Sequence, residues 1–280
     1  SMLPWIACAI LQMIMRTDSM HIIGLQTDLV WRDQEANLHH FDGLLQQLTA
    51  SPCDLVVLPE MFTTGFSWPP LTSHSGGVDV ADWMQGWADR LGAALIGSVS
   101  CVDSTGQPRN RCWFVPPSSE GSPSHYDKRH LFTLAGEHDH FKGGTDRVEV
   151  PFRGWRILLQ VCYDLRFPVF ARNGRAHPYD MAVYVANWPE TRAAAWRTLL
   201  QARAIENQCY VVGINRSGTD GNGHAYSGDS LMVDFAGTVL ADAGNGGKPQ
   251  VLKAEASKEA LANFRARLPF LEDADSFTLD

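Results

Sequence analysis

The chain lacks the marks of several protein classes. Its 280 residues contain no C-x-x-C pair, and the six cysteines, at 8, 53, 101, 112, 162 and 209, follow no short regular spacing. That pattern fits separate reduced thiols and a cytoplasmic location rather than the disulfide framework of a small secreted domain. Lysine and arginine form no clusters and the net charge is -8, which argues against a nucleic-acid or anionic-membrane surface and leaves a small molecule as the expected partner. Ten histidines are present, but neither His39-His40 nor His138-Asp139-His140 has a partner at zinc-site spacing, so no metal is expected. Long apolar runs are missing too. Leu3 to Met15 is mostly apolar, yet it is too short to span a bilayer and lacks the basic segment of a secretory signal. Residues 1–19 are therefore set apart as an N-terminal extension, with Ser1 ahead of Met2 read as a cloning remnant and Met20 as a candidate start. No linker-like stretch follows, and 45% hydrophobic content can bury a large core, so residues 20–280 are expected to form one domain with an acidic C-terminal tail.

What is present is an alternation of buried strands and amphipathic helices. His21 to Leu29 reads as a strand, Asp33 as the N-cap of a helix carrying Leu38, Phe41, Leu45 and Leu48 at helical spacing, and Cys53 to Leu58 as a second strand. A Thr, Gly, Ser and Pro-rich loop spans 61–77; a helix follows from Asp79, then strands over Ala94–Cys101, Cys112–Val115 and Ser124–Asp127, and an irregular loop over Thr133–Thr145. The pattern then restarts: a strand to Val161, a strand over Asp180–Ala186, a helix over Arg192–Asn207, a strand over Cys209–Asn215, and a Gly-rich loop over Arg216–Tyr226. Three short strands end near Leu252, and Ser257 caps a last helix to about Arg267. In the helix, Arg203 and Glu206 read as a structural ion pair. No repeat is visible by eye, but the doubled order suggests two similar halves stacked as layers with sheets inside and helices outside. An open doubly wound sheet is the alternative, and the many strands per helix favour the layers.

Chemistry concentrates at strand ends, where ligand groups gather in folds of this kind. Ile157, Leu158, Leu159 and Val161 form an apolar strand that stops at Cys162, with Asp164 suited to the first turn of a helix. A thiol on such a turn is held out of the sheet, and a helix N-terminus beside it stabilises the thiolate. Taken alone, Cys162 is as well read as a small buried hydrophobe. Glu60 closes the second strand and can take a thiol proton; Lys128 can hold that base and stabilise an oxyanion; the Tyr163 N–H can supply a second oxyanion donor. Taken alone, Glu60 is more readily read as a solvated strand end and Lys128 as an ordinary surface charge. Phe62 and Trp188 are expected to shape the pocket, with plain core as the alternative for either. Arg166 reads as a structural ion pair, with a substrate carboxylate as the other partner it could take.

The combination resembles a family. Leu58-Pro-Glu-Met-Phe62, Tyr126-Asp-Lys-Arg-His-Leu-Phe132 and Val161-Cys-Tyr-Asp-Leu-Arg-Phe-Pro168 are similar to the three signature segments of the nitrilase, or carbon-nitrogen hydrolase, superfamily, in chain order, over about His21 to Leu252. The resemblance implies an α/β fold of four layers, an α-β-β-α sandwich, and a triad of Glu60 as base, Lys128 as oxyanion stabiliser and Cys162 as nucleophile, with no cofactor. It also implies a second glutamate after the lysine, which lands on Glu137, with Asp139 close by in the same loop. The segments Glu60 to Phe66, Ala186-Asn-Trp-Pro189 and Ala202 to Gln208 resemble the ω-amidase branch, which acts on 2-oxoglutaramate or 2-oxosuccinamate. Cys162-Tyr-Asp164, where nitrilases often carry Cys-Trp-Glu, favours an amidase. At least a homodimer is implied, built through the helix after the nucleophile and the C-terminal segment. Other carbon-nitrogen hydrolases (an N-carbamoyl-amine hydrolase, an aliphatic amidase, a nitrilase) remain alternatives, as does an idle binding module that keeps the fold.

Overall fold

The structure is a computed structural model that describes residues 18–70 and 79–279. Most of the extension and part of the 61–77 loop lie outside these residues. Asp18 and Ser19, set aside with the extension, belong to the fold. Strand β1 starts at Ser19 and runs to Gln26, and the Asp18 carboxylate accepts from the Glu259 N–H.

Two six-stranded sheets are stacked face to face. One has the order β14 (Gln250–Ser257), β1, β2 (Leu55–Val57), β3 (Ala94–Val102), β4 (Pro108–Val115), β5 (Ser124–Asp127). The other runs β13 (Val239–Asp242), β12 (Leu231–Val233), β9 (Tyr210–Asn215), β8 (Met181–Ala186), β7 (Trp155–Val161), β6 (Glu149–Phe152). In each, three parallel strands form the centre: Ile22 pairs with Leu55 and Leu55 with Ala94, as Ile157 pairs with Met181 and Met181 with Tyr210. One antiparallel strand flanks the first of the three and two flank the third, so the halves repeat one plan. The doubled order in the sequence is this plan.

Helices cover the outer faces. α1 (Gln34–Gln46) and α2 (Val80–Leu91) start where expected, at Asp33 and Asp79, whose side chains accept from the Ala36 and Ala81 N–H groups. Their apolar faces, Leu38, Phe41, Leu45, Val80 and Met84, bury the outward side chains of the first sheet, Ile23, Leu25, Val56 and Leu95. The second sheet is covered by α4 (Ala193–Asn207) and α5 (Lys258–Arg267). Gly213 lets α4 approach, since a Cβ there would come 2.5 Å from a Leu200 methyl. Inner faces meet in a second core, where Phe114 of β4 packs edge-on against Phe152 of β6 at 5.4 Å. The Arg203–Glu206 pair forms at 3.0 Å, and Arg203 also donates to the Leu165 carbonyl at 2.6 Å, fastening α4 to the nucleophile turn.

Three details differ from the sequence expectation. β6 forms a hairpin with β7 that periodicity alone did not single out, because it is only four residues long. The segment read as a Gly-rich loop closes into a hairpin of β10 (Ser217–Thr219) and β11 (Ala225–Ser227). Finally, Cys162–Arg166 is a five-residue 3-10 turn followed by the short α3 (Pro168–Ala171), so no full helix starts at the thiol.

Candidate active site

The parallel strands of both sheets deliver their carboxyl ends to one place. Glu60 follows β2 and Asn187 follows β8, equivalent positions in the two halves, and they bind each other: the Asn187 N–H donates to Glu60 Oε2 at 2.9 Å and the Asn187 amide to the Glu60 carbonyl. Cys162 follows β7 with φ +46°, a left-handed conformation that side chains other than glycine rarely adopt. Lys128 follows β5, its N–H donating to the Asn110 carbonyl of β4 at 3.0 Å. Glu137 arrives from a 3-10 turn in the loop after Lys128.

These groups form one buried charge cluster. Lys128 Nζ lies 2.9 Å from Glu60 Oε1 and 2.9 Å from Glu137 Oε2, and all three side chains are shielded from solvent. Asn110 Nδ2 donates to both carboxylates, at 2.8 Å to Glu60 Oε1 and 3.0 Å to Glu137 Oε1. The Phe132 N–H donates to Glu137 Oε2 at 2.6 Å, so Glu137, rather than its neighbour Asp139, is the second glutamate of the cluster. Cys162 Sγ lies 3.7 Å from the Asn187 carbonyl oxygen. Asn110 and Asn187 are the members that sequence reading missed. Asn187 stood in a motif already singled out, whereas Asn110 sits inside a strand with no signal beyond its polarity.

Charge states follow from burial and neighbours. Burial alone would pull the Lys128 ammonium down, but the adjacent charges of Glu137 and then Glu60 outweigh it and raise its pKa, so it stays protonated. Burial raises Glu137; Lys128 pulls back and Glu60 pushes further up. For Cys162 the sequence expectation is overturned. Burial first, then the Glu60 charge, push the thiol well above its ordinary range, and Lys128 offsets only part. The resting group is a thiol, because burial and then the Glu60 charge together outweigh Lys128.

Asp164 supports the first turn after Cys162, as expected, and does more besides. Its buried carboxylate accepts from the Val161 N–H, the Tyr126 hydroxyl, the His130 N–H and His130 Nδ1 at 2.7 to 3.1 Å, tying the lysine loop to the nucleophile turn.

Cys162 opens on a pocket walled by Phe132, Tyr163, Arg166, Trp188 and Arg192. Tyr163 and Trp188 thus line the pocket beside the thiol. Phe62 does not. It is fully buried in the outer core, edge-on to Phe41 at 5.5 Å and beside Trp83 at 5.8 Å, and Gly97 makes room for it, since a Cβ there would come 2.8 Å from its ring. The cause is Met61, whose φ of +45° turns the chain so that Phe62 points away from Glu60. Phe66 takes the inner place, its ring 5.2 Å from Lys128 Nζ. The ion pair expected of Arg166 does not form either: its guanidinium lies 4.8 Å from the Trp188 ring centre and meets no carboxylate among the described residues. Among those residues, no three His, Cys, Asp or Glu side chains are placed to hold a metal ion, and no helix is long and apolar enough to cross a membrane.

A stacked pair of three-strand parallel cores with glutamate, lysine and cysteine at their common edge defines a class, and residues 9–266 match the carbon-nitrogen hydrolase family. The chain belongs to that family. It is 50% identical, over 91% of its length and 96% of the relative's, to the omega-amidase YafV of Yersinia enterocolitica. Similarity to the 2-oxoglutaramate amidase of Bacillus subtilis is 28% over 89% of this chain and 95% of that one. Among solved structures, XC1258 from Xanthomonas campestris, a CN-hydrolase superfamily protein with an arsenic adduct in the active site, superposes with a TM-score of 0.87 at 42% identity, covering 94% of this chain and 99% of that chain. The family match begins at residue 9, inside the stretch set aside as an extension.

Proposed function

We propose that the protein is an ω-amidase that hydrolyses 2-oxoglutaramate or 2-oxosuccinamate to the 2-oxo diacid and ammonia through a thioester on Cys162. The observation that carries this reading is the Cys162 thiol at the pocket floor beside a buried Glu60–Lys128–Glu137 cluster, in a chain half identical to a named ω-amidase.

In this mechanism the resting thiol gives its proton to Glu60 as Sγ attacks the amide carbon. The carbonyl oxygen becomes an oxyanion held by Lys128 Nζ and the Tyr163 N–H, and each such donor contributes about 3 kcal/mol in comparable sites. Collapse breaks the C–N bond, and the proton on Glu60 passes to the nitrogen, which leaves as ammonia. Water then attacks the thioester, giving one proton to Glu60; collapse breaks the C–S bond and that proton returns to the sulfur. Lys128 stays charged throughout, in keeping with the two carboxylates that hold it, and Glu137 keeps it in place. Burial and the Glu60 charge hold the thiol pKa up, so in this mechanism ionisation accompanies attack.

A homodimer fits the surface. Val169 on α3, Ile205 on α4, and Phe270 and Phe277 in the C-terminal segment are each about half exposed, on the elements through which the family resemblance places a dimer. A cytoplasmic location fits the five described cysteines, all free. The test is ammonia release from 2-oxoglutaramate beside glutamine, a simple aliphatic amide, a nitrile and an N-carbamoyl amine. Release confined to 2-oxo amides supports the reading. Cys162-dependent turnover of only another member moves the substrate, and silence on all favours the idle module.

A further inference from the structure

Two guanidiniums face the Cys162 pocket with no carboxylate to neutralise them. Arg166 rests on Trp188, and Arg192, just ahead of α4, lies over the Phe132 ring at 5.4 Å; neither forms an ion pair among the described residues. Arg192 stands at a particular place. A second cleft of about 240 Å³ adjoins the pocket there, and the two share Phe132, Asn187, Pro189 and Arg192. Arg192 therefore borders both spaces and is the charged residue they have in common.

The acidic groups nearby are turned elsewhere. Glu60 and Glu137 are buried and bonded to Lys128 and Asn110. Asp220, in the outer cleft, is itself buried, and its carboxylate accepts from the Tyr226 hydroxyl at 2.8 Å, the Asn222 N–H at 2.9 Å and the His224 N–H at 3.0 Å. The immediate walls of the Cys162 pocket carry two cations and no anion.

Resting on the ω-amidase reading, we propose that Arg192, with Arg166 beside it, reads the 2-oxo-carboxylate end of the substrate and is the residue by which the site rejects 2-amino counterparts such as glutamine. A guanidinium has only donors, and its planar fork matches a carboxylate. A 2-oxo acid offers acceptors only: two carboxylate oxygens and the neighbouring ketone oxygen. One guanidinium takes the two carboxylate oxygens as a fork and the other donates to the ketone oxygen. Glutamine puts an ammonium where the ketone stands. That group has no acceptor to offer, finds no carboxylate in the pocket wall, and is repelled by the nearer cation. Selection of the oxo form thus comes from charge and not from size.

The experiment measures kcat/KM for 2-oxoglutaramate, glutaramate, glutamine and pentanamide with wild type, Arg192→Met and Arg192→Lys, with thermal melts confirming the fold and Arg192→Gln replacing Arg192→Met should the latter not fold. Arg192→Met is expected to lower kcat/KM for 2-oxoglutaramate by about 100-fold, chiefly through KM, as befits a lost charge-assisted fork. Loss on pentanamide is at least tenfold smaller, the preference for 2-oxoglutaramate over glutamine narrows, and Arg192→Lys recovers part of it. An unchanged preference in Arg192→Met, whether activity persists or falls evenly on all four amides, overturns the inference while the ω-amidase reading stands. A wild type that does not prefer 2-oxoglutaramate overturns both, and does so without reference to any variant.

Discussion

Asn110 is the residue through which the cluster can be tested without touching a reacting group. Its amide nitrogen donates to Glu60 Oε1 and Glu137 Oε1 at 2.8 and 3.0 Å, so it bridges the two carboxylates that flank Lys128. Hydrogen bonds to charged groups contribute about 1.5 to 3 kcal/mol each. Against this, Asn110 Oδ1 is buried without a partner, a standing cost of about 1 to 3 kcal/mol. The amide cannot flip to relieve it, since that would aim an oxygen at two acceptors. Asn110→Ala removes both the bonds and the orphaned oxygen, and the backbone carbonyl that receives the Lys128 N–H remains. Stability should therefore fall by only about 1 to 3 kcal/mol, while kcat falls on the order of 100-fold because Glu60 and Glu137 are no longer held at their spacing. Asn110→Asp places a third carboxylate against two and should be slower still at neutral pH. The assays are a urea melt and steady-state ammonia release. An aspartate variant as active as the alanine variant, or an alanine variant with full kcat, would refute the reasoning.

Other expectations follow from burial. Phe62→Ala should cost about 3 to 5 kcal/mol of stability and leave KM near the wild-type value, whereas Trp188→Ala, which opens the pocket wall, should raise KM; a raised KM in the Phe62 variant would put that ring back in the site. Burial raises the thiols of Cys101 to about 11 and Cys209 to about 12, and those of Cys112 and Cys162 likewise go up. An unfolded thiol ionises near pH 8.5, so above that the unfolded chain binds fewer protons than the folded one. Stability present below pH 8.5 is then lost at about 1.4 kcal/mol per pH unit per thiol as pH rises toward the folded pKa values. The urea midpoint should be flat to pH 8 and drop steeply from pH 9 to 11, less steeply in Cys209→Ala. A midpoint unchanged at pH 10.5 contradicts this.

Much of this site was legible in the chain because strands write their ends plainly. The apolar run before Cys162 and the one before Pro59-Glu60 stop at the residues that matter, and a parallel sheet brings such ends together. Helix starts at Asp33, Asp79 and Ser257 were legible for a similar local reason: each cap bonds an N–H within three residues. What escaped depends on distance across the fold. Asn110 acquires its meaning only from two carboxylates contributed by other elements. Phe62 lies in the outer core and not at the pocket because of the left-handed turn at Met61, a backbone feature that the residue types alone do not reveal. The thiolate expectation failed on magnitude, since sequence gives the sign of a helix-start field but not the burial and the carboxylate that outweigh it. The hairpin over 217–227 was hidden by glycines that read equally as loop.

The most direct measurement is acid-quenched intact-mass analysis during turnover of 2-oxoglutaramate, with wild type and Cys162→Ala. Wild type should carry an acyl group that peptide mapping places on Cys162, with ammonia released at least as fast as the adduct forms, and Cys162→Ala, folded and equally stable, should carry none and release no ammonia. Ammonia release by Cys162→Ala at the wild-type rate, or an adduct on any other residue, would contradict a thioester mechanism at this site.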